Sequence, residues 1–576
     1  MENHYIVCGM GHLGHHAVEL FRRLGERVTV VTQGTSDDWL RAVQANGVRV
    51  LIGDARDRKL LVSAGIEHAR ALLATTDQDL VNIEIVLDAR QLRPDLPLVV
   101  RLFDQTLTQQ LESSFSLRKV LATSRLSAPS FAAAAIGETV LGSFPMGDAL
   151  FVIRKLIVDA DSPLANLTVR QAGEKHHLGV LACDREPNGV TLLLRPEELL
   201  RVGDRVILMG DNPAWKAALL QLGLGNKQRA EARPEPAHAP AAKLGSRFSA
   251  ARDVFKRMPL TLRLLLTTFA ALIILSVLVF HWGMGLSFVD AIYFIVTTVT
   301  TVGYGDISPR AASTWLKIYA CFVMLLGSAM IATLFSVITD FIVASRFEQI
   351  LGRKAIPQSG HTIVVGLGNV GYRIVEELRK VGTSVVAVDR DANGQFVESV
   401  GTQVPVIIGD ARLPNVLRKA GVAKAHAVIA TTENDAVNLS VGLGARLVNP
   451  QLRAVIRLFD ADFARKVQTS LKVDMALSSS LIAAPTFVAS ALYTGVQTSF
   501  TVGDHLLTIM HRPVGEVWAG RTPGQILEEE QVVILLRRRG LSSAYEPLPE
   551  ETRLEKDQEL IAAIWRKLDP LQVVKY

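Results

Sequence analysis

Along most of the chain, short apolar runs alternate with longer stretches whose apolar positions recur every three or four residues. A strand followed by an amphipathic helix, repeated, is the pattern of a parallel sheet with right-handed crossovers. Two stretches near the middle break it. Leu264–Val289 contains no Asp, Glu, Lys or Arg, and Leu264–Phe280 is almost wholly apolar. Ile318–Thr339 is a run of 22 residues without a formal charge. As a helix that run spans roughly 33 Å, enough to cross the hydrocarbon core of a bilayer. Neither run shows a polar face, which weighs against a helical hairpin buried in a soluble protein. Between them, Phe288–Thr298 is too short to cross again and is expected to form a re-entrant helix, tolerated at membrane depth only where protein or water surrounds it.

Charge orients this segment. Gly223–Pro259, just before the first span, carries eight Lys/Arg against three acids, and Arg346, Arg353 and Lys354 follow the second. The stretch between the spans has little basic charge beyond Arg310 and Lys317. Positive residues favour the cytoplasmic side, so both termini are expected in the cytoplasm of a cell (plasma or inner) membrane protein with two spans. These flanks explain much of the net charge of +6. No nucleic-acid partner is needed, and no basic surface interleaved with aromatics points to one. A length of 576 residues calls for several domains, and the mean hydropathy of +0.26 is high for a soluble protein but low for a polytopic transporter. No signal peptide is read at the start, where residues 5–8 form a short strand. Cys8, Cys183 and Cys321 suit reduced, structural thiols.

The remainder is a repeat. Tyr5–Cys8 followed by Gly9, Gly11 and Gly14 has the form of Thr362–Val365 followed by Gly366, Gly368 and Gly371. Farther on, Gly53-Asp54-Ala55-Arg56 matches Gly409-Asp410-Ala411-Arg412. Ala74-Thr75-Thr76-Asp77 matches Ala430-Thr431-Thr432-Glu433, Arg101-Leu102-Phe103-Asp104 matches Arg457-Leu458-Phe459-Asp460, and Ala128-Pro129 matches Ala484-Pro485. The collinear series implies two copies of one domain on either side of the membrane segment. The fold class expected is multi-domain, with two α/β Rossmann-like domains flanking an all-α membrane domain of two helices and a re-entrant loop.

In each copy the GxGxxG closes a strand and opens a helix, which is where glycines let a backbone approach a phosphate and where helix N–H groups meet it. The next strand of the second copy ends in Asp389, eighteen residues after Gly371, where a carboxylate bonds a ribose hydroxyl. The corresponding strand of the first copy ends in Thr32. Nucleotide binding is therefore expected more firmly of the second copy. The other reading is that the glycines serve only the tight turn and the helix packing.

Between the two spans stands Thr301-Val302-Gly303-Tyr304-Gly305, followed by Asp306. It resembles the selectivity filter of potassium channels, in which an extended strip points backbone carbonyls at the pore axis in place of the water around a K⁺ ion. A Gly-Tyr-Gly turn in some other loop would lack the apolar flanks found here. One strip supplies one wall, so the resemblance implies four chains around the axis.

Both repeats with their C-terminal extensions resemble the RCK domain (regulator of K⁺ conductance, TrkA-N/TrkA-C-like), and the whole resembles a two-transmembrane-helix prokaryotic potassium channel with such a domain at each end. The resemblance divides the chain into a Rossmann-like lobe at 1–125, a crossover helix and small lobe at 126–222, a flexible basic linker at 223–259 and a pore domain at 260–345. A second Rossmann-like lobe then covers 358–480, and a second crossover and small lobe 481–576. Within the pore domain the first span is expected at about 262–282, the pore helix at 288–298, the filter at 301–305 and the second span at about 314–341. The crossovers are expected near 128–142 and 484–495. The resemblance further implies that Gly366, Gly368, Asn369, Gly371, Asp389, Arg390 and Arg457 contact NAD(H) or another adenine nucleotide, with Asp410 and Glu433 nearby. The corresponding first-copy set is Gly9, Gly11, His12, Gly14, Asp54, Asp77 and Arg101. In related transporter-regulating subunits the residue after the second glycine is often Arg; here it is His12 and Asn369. It also implies a homotetramer whose eight RCK copies form a cytosolic ring that opens or closes a K⁺ pore.

Several features carry less. Gly327-Ser328-Ala329 in the second span marks Gly327 as a candidate hinge, or as an ordinary close-packing position. Glu528, Glu529 and Glu530 are a candidate for Ca²⁺ or another divalent cation, although acid runs commonly sit on solvated helices. The adjacent pairs His15-His16 and His176-His177 point apart and read as surface or packing residues. Two other functions remain to be weighed. A non-conducting, membrane-anchored nucleotide sensor or regulatory subunit would leave the filter strip without a role. An NAD-dependent oxidoreductase would need an acid/base constellation near the nicotinamide that the sequence does not offer, so no enzyme is expected.

Overall fold

The computed structural model describes residues 3–34, 37–103, 119–136, 140–146, 149–160, 162–176, 178–185, 189–192, 194, 197–211, 260–350, 354–471, 473–539, 546–548 and 551–569. The linker expected at 223–259 lies outside them. Two units are present, one built from both flanking repeats and one from the central segment.

In the first copy, β1 (His4–Cys8), β2 (Val28–Thr32), β3 (Arg49–Ile52), β4 (Ala69–Ala74), β5 (Leu98–Arg101) and β6 (Lys119–Leu121) form one parallel sheet in the order β3-β2-β1-β4-β5-β6. β1 and β4 are buried on both faces, which is why they read as continuous apolar runs rather than alternating ones. The order reverses between β1 and β4, and helix α1 (His12–Arg23) leaves β1 at that switch point. Helix α2 (Thr123–Ala135) crosses to a small antiparallel sheet of β7 (Val140–Met146), β8 (Ala149–Ile157), β9 (Gly179–Arg185), β10 (Gly189–Leu192) and β11 (Arg205–Asp211).

Among the described residues the central unit holds three α-helices. α3 (Leu260–Met284) and α5 (Thr314–Ile350) are long and apolar enough to cross a membrane, and only 17% of each apolar window is buried within this chain. A core helix of a soluble protein would bury most of that surface. α4 (Phe288–Val299) starts at Ser287, whose hydroxyl accepts from the Asp290 N–H at 3.1 Å. It packs between the other two: Phe294 meets Phe280 edge-on with ring centroids 4.9 Å apart, and Ala291 and Ile295 are buried with Leu316, Ala320 and Val323.

The second copy repeats the first. α6 (Asn369–Lys380) follows β12 (Thr362–Val365), and the parallel sheet runs β14 (Val406–Ile408), β13 (Val385–Asp389), β12, β15 (Ala427–Ala430), β16 (Arg453–Arg457), β17 (Met475–Leu477). Helix α7 (Ser479–Leu492) leads to β18 (Val496–Val502), β19 (His505–Pro513), β20 (Val532–Arg539), β21 (Glu546–Pro547) and β22 (Gln558–Lys567), an antiparallel sheet in the order β18-β19-β22-β20-β21.

The crossovers are exchanged. α2, which leaves the first copy, buries Ala128, Phe131 and Ala132 against Leu367, Val370 and Ile374 of the second. α7 buries Ala483, Phe487 and Val488 against Tyr5, Leu13 and Phe21 of the first. Arg453 of β16 donates to the Ala134 carbonyl of α2. The small lobes join as well, with Phe144, Phe151 and Ile153 in one cluster with Phe500, Val502 and Leu507. Both crossover helices begin five residues before the expected positions, and Pro129 and Pro485 sit inside them. Ser478 supplies the start of α7, its hydroxyl accepting from the Leu481 N–H at 3.3 Å.

Candidate functional site

In the central unit the strip 301–305 leaves the C-terminus of α4. The Gly303 N–H donates to the Thr297 carbonyl at 3.0 Å and the Thr301 N–H to that of Thr298 at 3.2 Å. Thr301, Gly303 and Gly305 have φ of +62°, +51° and +78°, whereas Val302 and Tyr304 between them are not in this region. Alternation of this kind turns successive peptide planes so that their carbonyls share one side, the requirement of an ion-coordinating strip. For Thr301, a β-branched residue, such a φ is strained and is held only by its surroundings. Val302 and Tyr304 are largely exposed within one chain, and the Tyr293 hydroxyl reaches Asp306. α5 runs unbroken through Gly327, where a Cβ would come within 2.9 Å of Val299; the glycine here lets the second span lie against the end of the pore helix.

The two Rossmann-like clefts share one construction. Gly9 and Gly366 adopt φ of +98° and +88°. A Cβ on Gly14 or Gly371 would meet the carbonyl oxygen of Gly9 or Gly366 at 1.9 or 1.8 Å, so the third glycine is fixed by helix-to-strand contact. Gly11 and Gly368 have open space where a side chain would go, on the side from which a phosphate approaches the turn. Asn82 and Asn438 tie the strand ends together, each accepting from the threonine six residues earlier (Thr76, Thr432) and donating to the carbonyl of Arg101 or Arg457 at 3.0 Å. Asp54 and Asp410 are each held by the arginine two residues on, and hydrogen bonds from Arg56 and Arg412 keep both carboxyls low, at about 2.

The copies part at the end of the second strand. Asp389 accepts from the Leu367 N–H of the glycine turn at 2.6 Å and from the Asp391 N–H at 2.9 Å, which holds its carboxylate at the mouth of the cleft beside exposed Arg390. Thr32 instead donates to the Gly34 carbonyl at 2.8 Å and closes its own turn.

A cavity of about 980 Å³ occupies the first-copy cleft. Gly9, Gly11, His12, Asp54, Asp77 and Arg101 line it, and so do Glu433, Arg457 and Phe459 of the second copy. Glu433, which follows β15, and Arg457, at the end of β16, were expected in the second-copy cleft and line the first. Phe459 stacks on His12 at 5.4 Å and Trp39 meets the same imidazole edge-on at 5.1 Å. Burial lowers the His12 pKa, and burial pushes the Arg101 guanidinium down to about 10, with Arg457 shifted in the same direction. Phe459 and Trp39 did not stand out in the sequence, although the repeated Arg-Leu-Phe-Asp contained the signal for the first.

Two acids of the run at 528–530 are committed elsewhere. Glu530 accepts from the Trp518 indole at 3.0 Å and from Arg521 at 2.6 Å, and Glu529 accepts from Arg521 at 2.7 Å. Among the described residues no cluster of three His, Cys, Asp or Glu is arranged to hold a metal ion.

Comparison with known proteins follows the same division. The TrkA-N domain family matches residues 5–121 and again 362–479, and the ion channel family matches 262–344. Two TrkA-N domains flank an ion channel domain. Probable potassium channel protein 2 of Methanocaldococcus jannaschii is 31% identical over 193 residues, which cover 32% of this chain and 55% of that protein. The voltage-gated potassium channel Kch of Escherichia coli is 28% identical over 200 residues, 34% of this chain and 47% of its own. The matches thus span about half the length of these relatives. Among solved structures, the GsuK channel shares the fold at 15% identity, with a TM-score of 0.51 over 98% of this chain and 77% of its own. The GsuK channel bound to NAD gives a TM-score of 0.50 over the same shares, also at 15% identity. The TrkA-N repeats therefore have the Rossmann-like fold expected of them, on either side of a channel domain.

Proposed function

We propose that this protein is a K⁺-selective channel whose conductance is set by adenine nucleotide, NAD(H) among the candidates, bound to its TrkA-N domains. The observation that carries the reading is the strip 301–305, anchored on the C-terminus of a short re-entrant helix between two spans, with left-handed backbone at alternate positions. The potassium-channel names of the relatives support the same ion, and the NAD-bound GsuK channel supports the class of ligand. Thr301, Val302, Gly303, Tyr304 and Gly305 would form one of four walls, which makes the protein a homotetramer in the cell membrane with both termini cytoplasmic. Four chains bring eight TrkA-N copies, arranged as a cytosolic ring. In the second copy Gly366, Gly368, Asn369 and Asp389 take the phosphates and ribose. Glu529 and Glu530 already have partners, so a divalent cation is not part of the proposal.

Only the residues around 345–359 separate the second span from the second copy, whereas the first copy is tied by the longer segment 223–259. A shift between lobes on ligand binding would therefore pull most directly on α5. Flux into liposomes tests the reading. Purified protein is expected to carry K⁺ in preference to Na⁺, and Gly303→Val, which forces a β-branched residue to a φ of +51°, is expected to abolish the flux. K⁺-selective flux absent under every nucleotide condition would support the sensor instead.

A further inference from the structure

The first-copy cleft is not completed by its own residues. Two guanidinium groups enter its cavity, Arg101 from β5 and Arg457 from β16 of the other copy. Each lies over the phenyl ring two residues on, 4.4 Å from the centre of Phe103 and 4.5 Å from that of Phe459. The Nε atom of each is buried without a hydrogen-bond partner. Arg101 makes long bonds to the carbonyls of Thr75 and Thr76, at 3.4 and 3.3 Å. Asp77 and Asp79 lie within electrostatic reach of Arg101, and Glu433 and Asp435 within reach of Arg457, yet among the described residues none closes an ion pair on either arginine. Arg457 has no close acceptor among the described residues and Arg101 only long ones, which leaves both guanidinium groups poorly paired at a cost, and two cations that face one cavity also repel each other. An anion between them relieves both costs. Thr32 meanwhile offers no carboxylate to a ribose, so the grip on a ligand falls on its phosphate end.

We propose that the first-copy cleft is a composite phosphate site, in which Arg101 and Arg457 together hold one phosphoryl group while the Gly9–Gly14 turn holds its neighbour. The proposal rests on the nucleotide reading of the clefts and narrows it to ligands with two or more phosphates. It also makes the second copy a direct participant in binding at the first, through Arg457 and through Phe459 against His12. A ligand that bridges the copies holds them in one relative arrangement.

The test uses the full-length protein in detergent with Gly368→Asp as background. The open space beside Gly368 accepts the side chain, and the new carboxylate repels phosphate from the second-copy turn, so that binding reports on the first cleft. Titration calorimetry with ADP is expected to show a Kd at least about tenfold weaker after Arg457→Gln, with part of the loss recovered by Arg457→Lys. Adenosine binding is expected to stay unchanged, and inorganic pyrophosphate to compete with ADP only where Arg457 is present. Arg457→Lys keeps the test open if Arg457→Gln lowers the unliganded Tm. ADP binding within twofold of the background, or an equal loss for adenosine, overturns the composite site and leaves the nucleotide reading standing. A wild-type protein that binds neither ADP nor pyrophosphate overturns both.

Discussion

At the scale of single residues, the glycines of the two turns do different work. Gly371 is fixed by packing, since a methyl group there would fall 1.8 Å from the Gly366 carbonyl oxygen; Gly368 stands in open space. Gly371→Ala is therefore expected to destabilise the protein by roughly 3 kcal/mol or more. Gly368→Ala should leave stability within about 0.5 kcal/mol and still weaken nucleotide binding, because its methyl group lies where a phosphate approaches. Thermal melts with and without ADP read both effects, and equal loss of Tm in the two variants would contradict the division of labour. These turns were legible in the sequence because their chemistry is local: strand, glycines and helix follow one another. Arg457 was legible only as a residue of its own copy's cleft, and Phe459 not at all, because nothing local says that the end of a strand in one copy faces the cleft of the other.

At the scale of elements, the reciprocal crossovers explain why the repeats behave as one unit. α2 and α7 are rich in alanine and serine and bury nearly all of their length, which is possible only between two packed surfaces. Phe487 is completely buried against the first copy although it belongs to the second. Phe487→Ala is expected to cost about 3–5 kcal/mol. Because the lost contact lies between copies, the cost should appear as a lower Tm for the whole unit that holds both repeats, in a single transition. Two separate transitions with only the later half affected would show that the copies fold independently. The sequence identified both repeats through collinear motifs, and the resemblance to RCK domains implied both crossovers. It placed their starts near 128 and 484, whereas the helices begin at Thr123 and Ser479. The exchange itself leaves no pattern along the chain, because an alanine-rich helix packs equally well on its own lobe or on a neighbour's.

At the scale of the whole molecule, the central unit presents mostly uncovered apolar surface, and Val302 and Tyr304 are exposed within one chain. Lipid around α3 and α5 would cover the first, and under the proposed function three further copies around the strip 301–305 would cover the second. The membrane segment was readable from charge and length alone, because the bilayer imposes both. The composite cleft adds what the sequence did not offer, a way for ligand at the first copy to act on the second, which is joined to α5 by the shorter link. The central claim is that nucleotide in these clefts sets K⁺ conduction. Single-channel recording in a planar bilayer, with K⁺ and Na⁺ on opposite sides and ADP or NAD⁺ added to the face carrying the termini, tests it most directly. The account predicts a K⁺-selective current whose open probability changes with nucleotide, and changes less in Asp389→Ala. A K⁺ current indifferent to nucleotide, or no K⁺-selective current at all, would contradict it.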